Sequence, residues 1–254
     1  MATFTSFDGT SLFYLEEGDG PPAVLLHGLT SSTEGNWRRP GIWNALLDAG
    51  KRVIGLDARG HGRSDKAHDP RAYEREAMVR DVASLFDHVG LGTADLAGYS
   101  MGAFTAIRFA AQDTRVRRLV LGGIGGDPGQ WGAPEAREER GERAKRILAG
   151  LTAADAASIE DPLARRVRQL MEERGNDLEA MAAIQLADRP VIDSVETTRV
   201  SAPTLVVCGE DDVSPDPLAA VLPAGQALVL TGDHEGVVSN PELGKVIAAF
   251  LSEE

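Results

Sequence analysis

Asp95-Leu96-Ala97-Gly98-Tyr99-Ser100-Met101-Gly102-Ala103 is the stretch that decides the fold, because it holds the pattern Gly-x-Ser-x-Gly with Ser100 at its centre. An apolar run, residues 94–99, leads into the serine and is typical of a buried strand. Residues 103–111, which follow, are rich in helix-forming side chains. The pattern therefore lies where a strand turns sharply into a helix, the context in which proteins present a nucleophilic serine.

The two glycines of this pattern have a steric reason. A serine at the tip of such a tight turn leaves no room for side chains on either side of it. The turn also points the backbone N–H of Met101 toward a developing oxyanion, at the N-terminus of the helix, where the helix dipole favours negative charge. Taken alone, the pentapeptide also fits a glycine-rich turn without catalytic meaning, so the rest of the chain has to supply partners for Ser100.

Composition limits the class of protein. A chain of 254 residues fits one large domain, or a core with a modest insertion. Its 39 acidic residues exceed its 26 basic ones, and the net charge of −13 argues against nucleic acid or an anionic membrane as a partner. The single cysteine, Cys208, lies in an apolar run and is predicted to be a buried thiol. The sequence has neither a signal-peptide pattern nor an apolar run of about 18 residues, so we expect a soluble, cytoplasmic protein. The sequence does not predict how many subunits it assembles into.

Apolar and alternating runs predict eight strands, at residues 3–7, 12–15, 23–26, 52–56, 94–99, 117–121, 203–208 and 226–230. Asp8-Gly9 is a hairpin signal between the first two strands, which are therefore predicted to be antiparallel. Helical patterns separate the later strands, and this alternation predicts a mostly parallel sheet covered on both faces. Residues 128–189 are dense in charge and show no strand pattern, so we assign them to a helical insertion and residues 1–127 and 190–254 to the core.

A nucleophilic serine needs a base, usually histidine, and the base needs an orienting carboxylate. His234 follows the strand at 226–230 through a short loop, so it lies at the carboxyl end of a strand, where open parallel sheets bind ligands. His27 also ends a strand beside the serine, and we expect it chiefly to order its own loop. Residues 209–212 follow another strand directly and offer three acids, one of which is expected to be the partner of the histidine.

At this point the chain resembles the α/β-hydrolase fold superfamily, in particular its single-domain, lidded, esterase-like members. The resemblance covers nearly the whole chain and rests on five motifs in family order, each weak alone and specific together. The motifs are His27-Gly28, Asp57-Ala58-Arg59-Gly60-His61-Gly62-Arg63-Ser64, Gly98-Tyr99-Ser100-Met101-Gly102, Gly209-Glu210-Asp211-Asp212 and Gly232-Asp233-His234. The chain departs from the family where Leu29-Thr30-Ser31-Ser32 replaces a stretch that contains proline in relatives.

The resemblance implies an α/β-hydrolase fold: a mostly parallel eight-stranded sheet with helices on both faces and a helical lid formed by residues 128–189. Of the two adjacent aspartates, the family pattern selects Asp212 over Asp211. The implied site residues are the catalytic Ser100, Asp212 and His234 and, for the oxyanion hole, the backbone N–H groups of Leu29 and Met101. A serine nucleophile counts against the dehalogenase and epoxide hydrolase branches, which use aspartate.

The chemistry predicted for this site is hydrolysis of a carboxylic ester through an acyl-enzyme, with a small-molecule substrate and no metal or organic cofactor. The apolar faces of the predicted lid helices and the negative net charge favour a small to medium, largely apolar substrate. Five side chains are candidates for contact with it: His27, Tyr99, Trp131, Met171 and Met181. A lactonase, a carbon–carbon bond hydrolase, a perhydrolase or cofactor-free haloperoxidase, and a cofactor-free oxygenase are alternatives. A non-catalytic ligand-binding protein is the alternative of a different class.

Overall fold

An eight-stranded sheet forms the centre of the computed structural model, which describes residues 2–74, 76–188 and 194–253. The strands are β1 (Ala2–Thr5), β2 (Ser11–Glu17), β3 (Pro22–Leu26), β4 (Arg52–Leu56), β5 (Ala94–Tyr99), β6 (Val116–Gly122), β7 (Thr204–Gly209) and β8 (Gly225–Leu230). They lie in the order β1-β2-β4-β3-β5-β6-β7-β8. Strand β2 runs antiparallel to β1 and β4, and the pairs from β4 onward in this order are parallel. The predicted mostly parallel, eight-stranded sheet is confirmed.

The helices alternate with the strands along the chain. Within the described residues they are α1 (Ile42–Asp48), α2 (Ala77–His88), α3 (Met101–Gln112), α4 (Pro128–Trp131), α5 (Pro134–Thr152), α6 (Pro162–Glu173), α7 (Leu178–Leu186), α8 (Ser194–Thr197), α9 (Asp216–Val221) and α10 (Pro241–Ser252). A π-helical turn covers Glu34–Arg38, and 3₁₀ turns cover Pro70–Tyr73, Ala156–Ser158 and Gly236–Ser239. Among these described helices, none has both the length and the apolar character that a membrane span requires.

Helices cover both faces of the sheet because its central strands are apolar on both sides. In β3, Val24 and Leu26 belong to the core beneath α2, α3 and α9, whereas Ala23 and Leu25 face the core beneath α1 and α10. All six residues of β5 are buried, as expected of a strand between two covered faces. The carboxyl end of β5, and with it Ser100, therefore lies at the edge where the neighbouring parallel strands also end.

The first strand of the hairpin ends earlier than predicted, at Thr5 and not at Phe7. The next residue, Ser6, is not part of the strand, and its Oγ donates to Asp81 Oδ1 at 2.6 Å. The Ser6 N–H donates to the Thr10 carbonyl oxygen at 2.8 Å and closes the turn, which leaves Phe7 at its tip with 38% of its surface exposed. A tertiary hydrogen bond thus overrides the strand preference of this stretch.

The β6–β7 segment, residues 128–188, contains helices α4 to α7. Its buried side chains, together with Tyr73 from the turn at Pro70–Tyr73, form a third core apart from the two that face the sheet. This core includes Tyr73, Ile147, Leu151, Met171, Met181 and Ile184. The predicted helix start at Asp161 is confirmed, since Asp161 Oδ1 accepts the Ala164 N–H at 3.0 Å. The predicted boundary between residues 189 and 190 lies outside the described residues, so the division of the chain into core and lid stays a prediction.

Candidate active site

Ser100 lies at the tip of the turn between β5 and α3, in a backbone conformation that side chains rarely adopt. Its φ of 52° and ψ of −113° make it the one non-glycine residue with positive φ in the described part of the chain. A Cβ atom at Gly98 would lie against the Gly102 carbonyl, and one at Gly102 would lie against the Leu26 carbonyl. Only glycine fits on either side, so the strained turn holds the serine at the carboxyl edge of the sheet.

A hydrogen-bonded chain links Ser100 to His234 and Asp212. His234 Nε2 lies 3.1 Å from Ser100 Oγ, and His234 Nδ1 lies 2.8 Å from Asp212 Oδ2. An ionised carboxylate only accepts, so Nδ1 carries the hydrogen and Nε2 accepts the hydrogen of the serine hydroxyl. The other Asp212 oxygen accepts the Val213 N–H at 2.8 Å, which fixes the carboxylate. The structure thus brings together the three side chains that the sequence indicated, while Asp211 is exposed.

Tyr99 supports the hydrogen-bonded chain of Ser100, His234 and Asp212 from inside the protein. Its hydroxyl donates to the His234 carbonyl oxygen at 2.6 Å, and the two ring centroids lie 5.6 Å apart. The residue is 4% exposed, and burial raises the pKa of the Tyr99 phenol well above its usual range, so the donor keeps its hydrogen. The side chain is enclosed beneath His234, so the structure gives no support to the predicted contact of Tyr99 with substrate.

The loop after β3 is held by a buried histidine and a buried asparagine. His27 Nε2 accepts the Ala58 N–H at 3.0 Å, and Nδ1 lies 2.8 Å from the Gly28 carbonyl oxygen. Asn36, which the sequence patterns did not single out, accepts the Gly28 N–H on Oδ1 at 2.9 Å. His27 is 1% exposed and both of its ring nitrogens are occupied, which supports its expected role in ordering the loop and gives no support to its predicted contact with substrate.

His61 fixes the next residue of the same loop. Its Nε2 lies 2.5 Å from the Leu29 carbonyl oxygen and its Nδ1 lies 3.0 Å from the Arg59 carbonyl oxygen. Burial lowers the pKa of His61 to about 3 and keeps the ring neutral, so one ring N–H is available to donate to one of these two carbonyl oxygens. Across the site, Met101 is the first residue of α3, so its N–H has no partner within the helix. Leu29 and Met101 remain the predicted oxyanion donors.

A cavity of about 850 Å³ opens beside Ser100, between α3 and the helices of the β6–β7 segment. Its apolar lining includes Leu29, Tyr73, Met78, Phe104, Trp131 and Ile147. Trp131 Nε1 donates to the Gly125 carbonyl oxygen at 3.1 Å, and the indole meets the Phe104 ring edge-on at 5.4 Å between centroids. Of the five side chains predicted to contact substrate, Trp131 is therefore the one that the structure places on this cavity.

Met171 and Met181 lie away from the cavity. Both are completely buried in the third core, where they pack among residues such as Ile147, Leu151 and Ile184. The helix faces that suggested a binding surface pack inside the β6–β7 segment instead. The structure thus gives no support to the predicted contact of both methionines with substrate.

Replacing Met171 with alanine should lower the free energy of unfolding by about 2–5 kcal/mol, because the smaller side chain leaves a void in the third core. The relative rates on esters of different chain length should stay as in the wild type. Urea unfolding and ester kinetics measure the two quantities. Leu186→Ala is the control, since Leu186 is 58% exposed in the same segment and should change stability by less than about 0.5 kcal/mol. An altered chain-length order at unchanged stability would return Met171 to the substrate site.

Four arginines that the sequence patterns did not single out also line the cavity: Arg108, Arg137, Arg140 and Arg143. Arg108 lies on α3, and its Nη2 is 2.6 Å from Glu76 Oε1. The other three lie on α5, three residues apart. The sequence feature that could have found them is this three-residue spacing, which places side chains on the same side of a helix. It was hidden because glutamates stand between the arginines.

The family model described as the alpha/beta hydrolase fold matches residues 21–252. A haloalkane dehalogenase of Mycolicibacterium paratuberculosis is 41% identical over 116 residues, which cover 43% of this chain and 36% of that protein. A non-heme chloroperoxidase of Streptomyces lividans is 36% identical over 125 residues, covering 48% and 44%. Both matches span less than half the length of the curated relative. Among solved structures, a thermophilic esterase from Thermogutta terrifontis is 27% identical with a TM-score of 0.69, and the alignment covers 98% of this chain and 97% of the esterase.

Proposed function

The chain belongs to the alpha/beta hydrolase fold family, and on that premise we propose that it is a serine hydrolase that cleaves carboxylic esters through a covalent acyl-enzyme. One observation carries the proposal: Ser100, His234 and Asp212 form a continuous hydrogen-bonded chain. The hydrogen-bonded chain ends at Ser100, which lines a cavity of about 850 Å³, the size of a small-molecule site.

In the first half of the reaction, Ser100 Oγ attacks the carbonyl carbon of the ester. His234 Nε2, 3.1 Å away, takes the hydroxyl proton as the new C–O bond forms. Asp212 stabilises the imidazolium through the contact at Nδ1 and holds the ring in the productive tautomer. His234 then donates the proton to the leaving alcohol oxygen, which departs and leaves the acyl group on Ser100.

In the second half, a water molecule takes the place of the alcohol. His234 Nε2 accepts a proton from the water as its oxygen attacks the acyl carbon, and returns that proton to Ser100 Oγ when the carboxylic acid leaves. Both tetrahedral intermediates carry a negatively charged oxygen. The backbone N–H groups of Leu29 and Met101 are the donors predicted to stabilise it. The loss of one such donor typically costs about 2.7–4 kcal/mol of transition-state stabilisation.

The esterase from Thermogutta terrifontis supports ester cleavage, because it aligns over nearly the whole chain. The haloalkane dehalogenase aligns over less than half of either protein. The serine at position 100 also disfavours dehalogenation, since the superfamily resemblance assigns that reaction to an aspartate nucleophile.

A second candidate is perhydrolysis on the same residues, which the 36% identity to a non-heme chloroperoxidase favours. Hydrogen peroxide would replace water in the second half of the reaction, so that the acyl group leaves Ser100 as a peracid. Peracid formation from an ester and hydrogen peroxide, measured beside release of the free acid, compares the two reactions directly.

Among 4-nitrophenyl esters, kcat/KM should rise from acetyl to about butyryl or hexanoyl, because the cavity offers apolar surface at Leu29, Phe104 and Trp131. Each additional buried CH₂ contributes about 0.8 kcal/mol, or about fourfold. Trp131→Ala should flatten this rise. Phe7→Ala removes an exposed aromatic ring in the first hairpin and should leave the rise intact. Absence of ester hydrolysis across the series would refute the proposed function.

A further inference from the structure

Arginines gather on the side of helix α5 that faces the cavity. Three of the four arginines of α5, called the α5 arginines from here on, line it: Arg137, Arg140 and Arg143. At about 3.6 residues per turn, a spacing of three residues keeps them on one side of the helix. The glutamates of the first turns fall on the other side: Glu135, Glu138, Glu139 and Glu142. Over residues 135–143 the helix therefore separates its charges, with the arginines toward the cavity and the glutamates away from it.

The α5 arginines lack the carboxylate partners that other cations of this helix have. Lys145 Nζ lies 2.5 Å from Glu142 Oε1, and Arg146 Nε lies 2.6 Å from Asp161 Oδ2. Within the residues that the structure describes, no carboxylate lies at ion-pair distance from any of the α5 arginines. Like charges on one side of a helix repel, so an anion in the cavity would relieve this repulsion.

The rest of the cavity wall does not neutralise them. Arg108 is already paired with Glu76 at 2.6 Å, and the other acid among the described lining residues, Asp188, forms no ion pair with the α5 arginines. Arg140 Nη2 donates to the Trp131 carbonyl oxygen at 2.5 Å, which holds its guanidinium against the cavity. The cavity wall is thus locally cationic in a chain whose net charge is −13.

We propose that the substrate carries a carboxylate at the end remote from its scissile carbonyl, and that the α5 arginines bind this carboxylate. The inference rests on the proposed function, because Ser100 sets where the reacting carbonyl lies. Guanidinium groups recognise carboxylates through paired N–H···O hydrogen bonds, which gives orientation as well as attraction. The apolar surface around Phe104 and Trp131 then contacts the chain that joins the two polar ends.

A kinetic test compares mono-4-nitrophenyl suberate with its methyl ester, which is similar in length and has no charge. The wild type should show a higher kcat/KM on the free carboxylate, and the R137Q/R143Q variant should lower that preference by about tenfold. Because the arginines are exposed, the preference should also fall as salt is added. K145Q removes one positive charge from the same helix away from the cavity and should keep the wild-type preference. An equal loss of preference in K145Q would overturn the inference.

A binding measurement separates this inference from the proposed function. In the S100A variant, monomethyl suberate should bind about tenfold more tightly than dimethyl suberate by isothermal titration calorimetry, and adding R137Q/R143Q should abolish the difference. Such arginine-dependent binding together with no ester hydrolysis by the wild type would uphold the inference and refute the esterase. Equal binding of the two compounds, together with ester hydrolysis that requires Ser100, would overturn the inference and leave the esterase standing.

Discussion

Replacing Ser100 with alanine should lower kcat for hydrolysis of 4-nitrophenyl esters by about 10⁶-fold while the protein stays folded. The hydroxyl oxygen 3.1 Å from His234 Nε2 is the atom that forms the acyl-enzyme, so its removal leaves only the rate that the cavity and the oxyanion donors support for attack by water. Alanine bears the same backbone strain at a φ of 52°, so the thermal unfolding midpoint should barely move. Ester kinetics and a circular dichroism melt measure the two effects.

Ser100→Gly is the matched control, because it removes the same hydroxyl and also releases the strain of the positive φ. It should lose activity to the same extent as the alanine variant and unfold at a higher temperature. A fluorophosphonate should label Ser100 in the wild type and label neither variant. A label on a different peptide, or near-wild-type kcat in the alanine variant, would refute the role of Ser100.

The strands that carry the site could be predicted almost to the residue because they are buried on both faces. The runs at 94–99 and 52–56 coincide with β5 and β4. A strand between two helical layers is apolar at nearly every position, and a run of five or six such residues is too short for a core helix. The first hairpin was less predictable, since the end of β1 depends on the hydrogen bond between Ser6 and Asp81, 75 residues later in the chain.

Topology placed Ser100 and His234 and narrowed the acid to residues 210–212, and the resemblance to the family then selected Asp212. Ser100, Asp212 and His234 each follow a parallel strand closely, and the carboxyl ends of β5, β7 and β8 lie on one edge of the sheet. No comparable topological rule locates the residues that contact substrate. Met171 and Met181 were chosen from helical periodicity, which shows that a face is covered but not what covers it.

The net charge of the chain did not indicate the local charge of the cavity wall, for a related reason. Arginines and glutamates follow one another closely in residues 135–143, so the sequence there carries little net charge at any point. The α5 helix sorts the two signs onto opposite sides, and only the arginine side lines the cavity. The expectation of a largely apolar substrate rested on the apolar faces of the predicted lid helices and on the charge summed over the chain, whereas a bound ligand experiences the groups within a few ångströms.

Replacing Asp212 with asparagine should lower kcat by about 10⁴-fold without unfolding the protein. The wild-type carboxylate can only accept, so it places the hydrogen of His234 on Nδ1 and leaves Nε2 free for the serine proton. An asparagine amide can donate to Nδ1, which favours the tautomer with the hydrogen on Nε2. That tautomer cannot act as the base for Ser100, and the imidazolium also loses its negative partner. Ester kinetics at saturating substrate measure kcat.

Asp211→Asn is the matched control for this variant, because it makes the same chemical change one residue earlier on an exposed side chain. It should retain kcat within about twofold, since surface changes away from such networks have small effects. Asp127→Asn tests a second position, after β6, where the carboxylate accepts the Gly129 N–H at 2.8 Å at the start of α4. This variant should affect stability more than kcat. A larger loss of kcat from Asp211→Asn or Asp127→Asn than from Asp212→Asn would show that another acid orients His234.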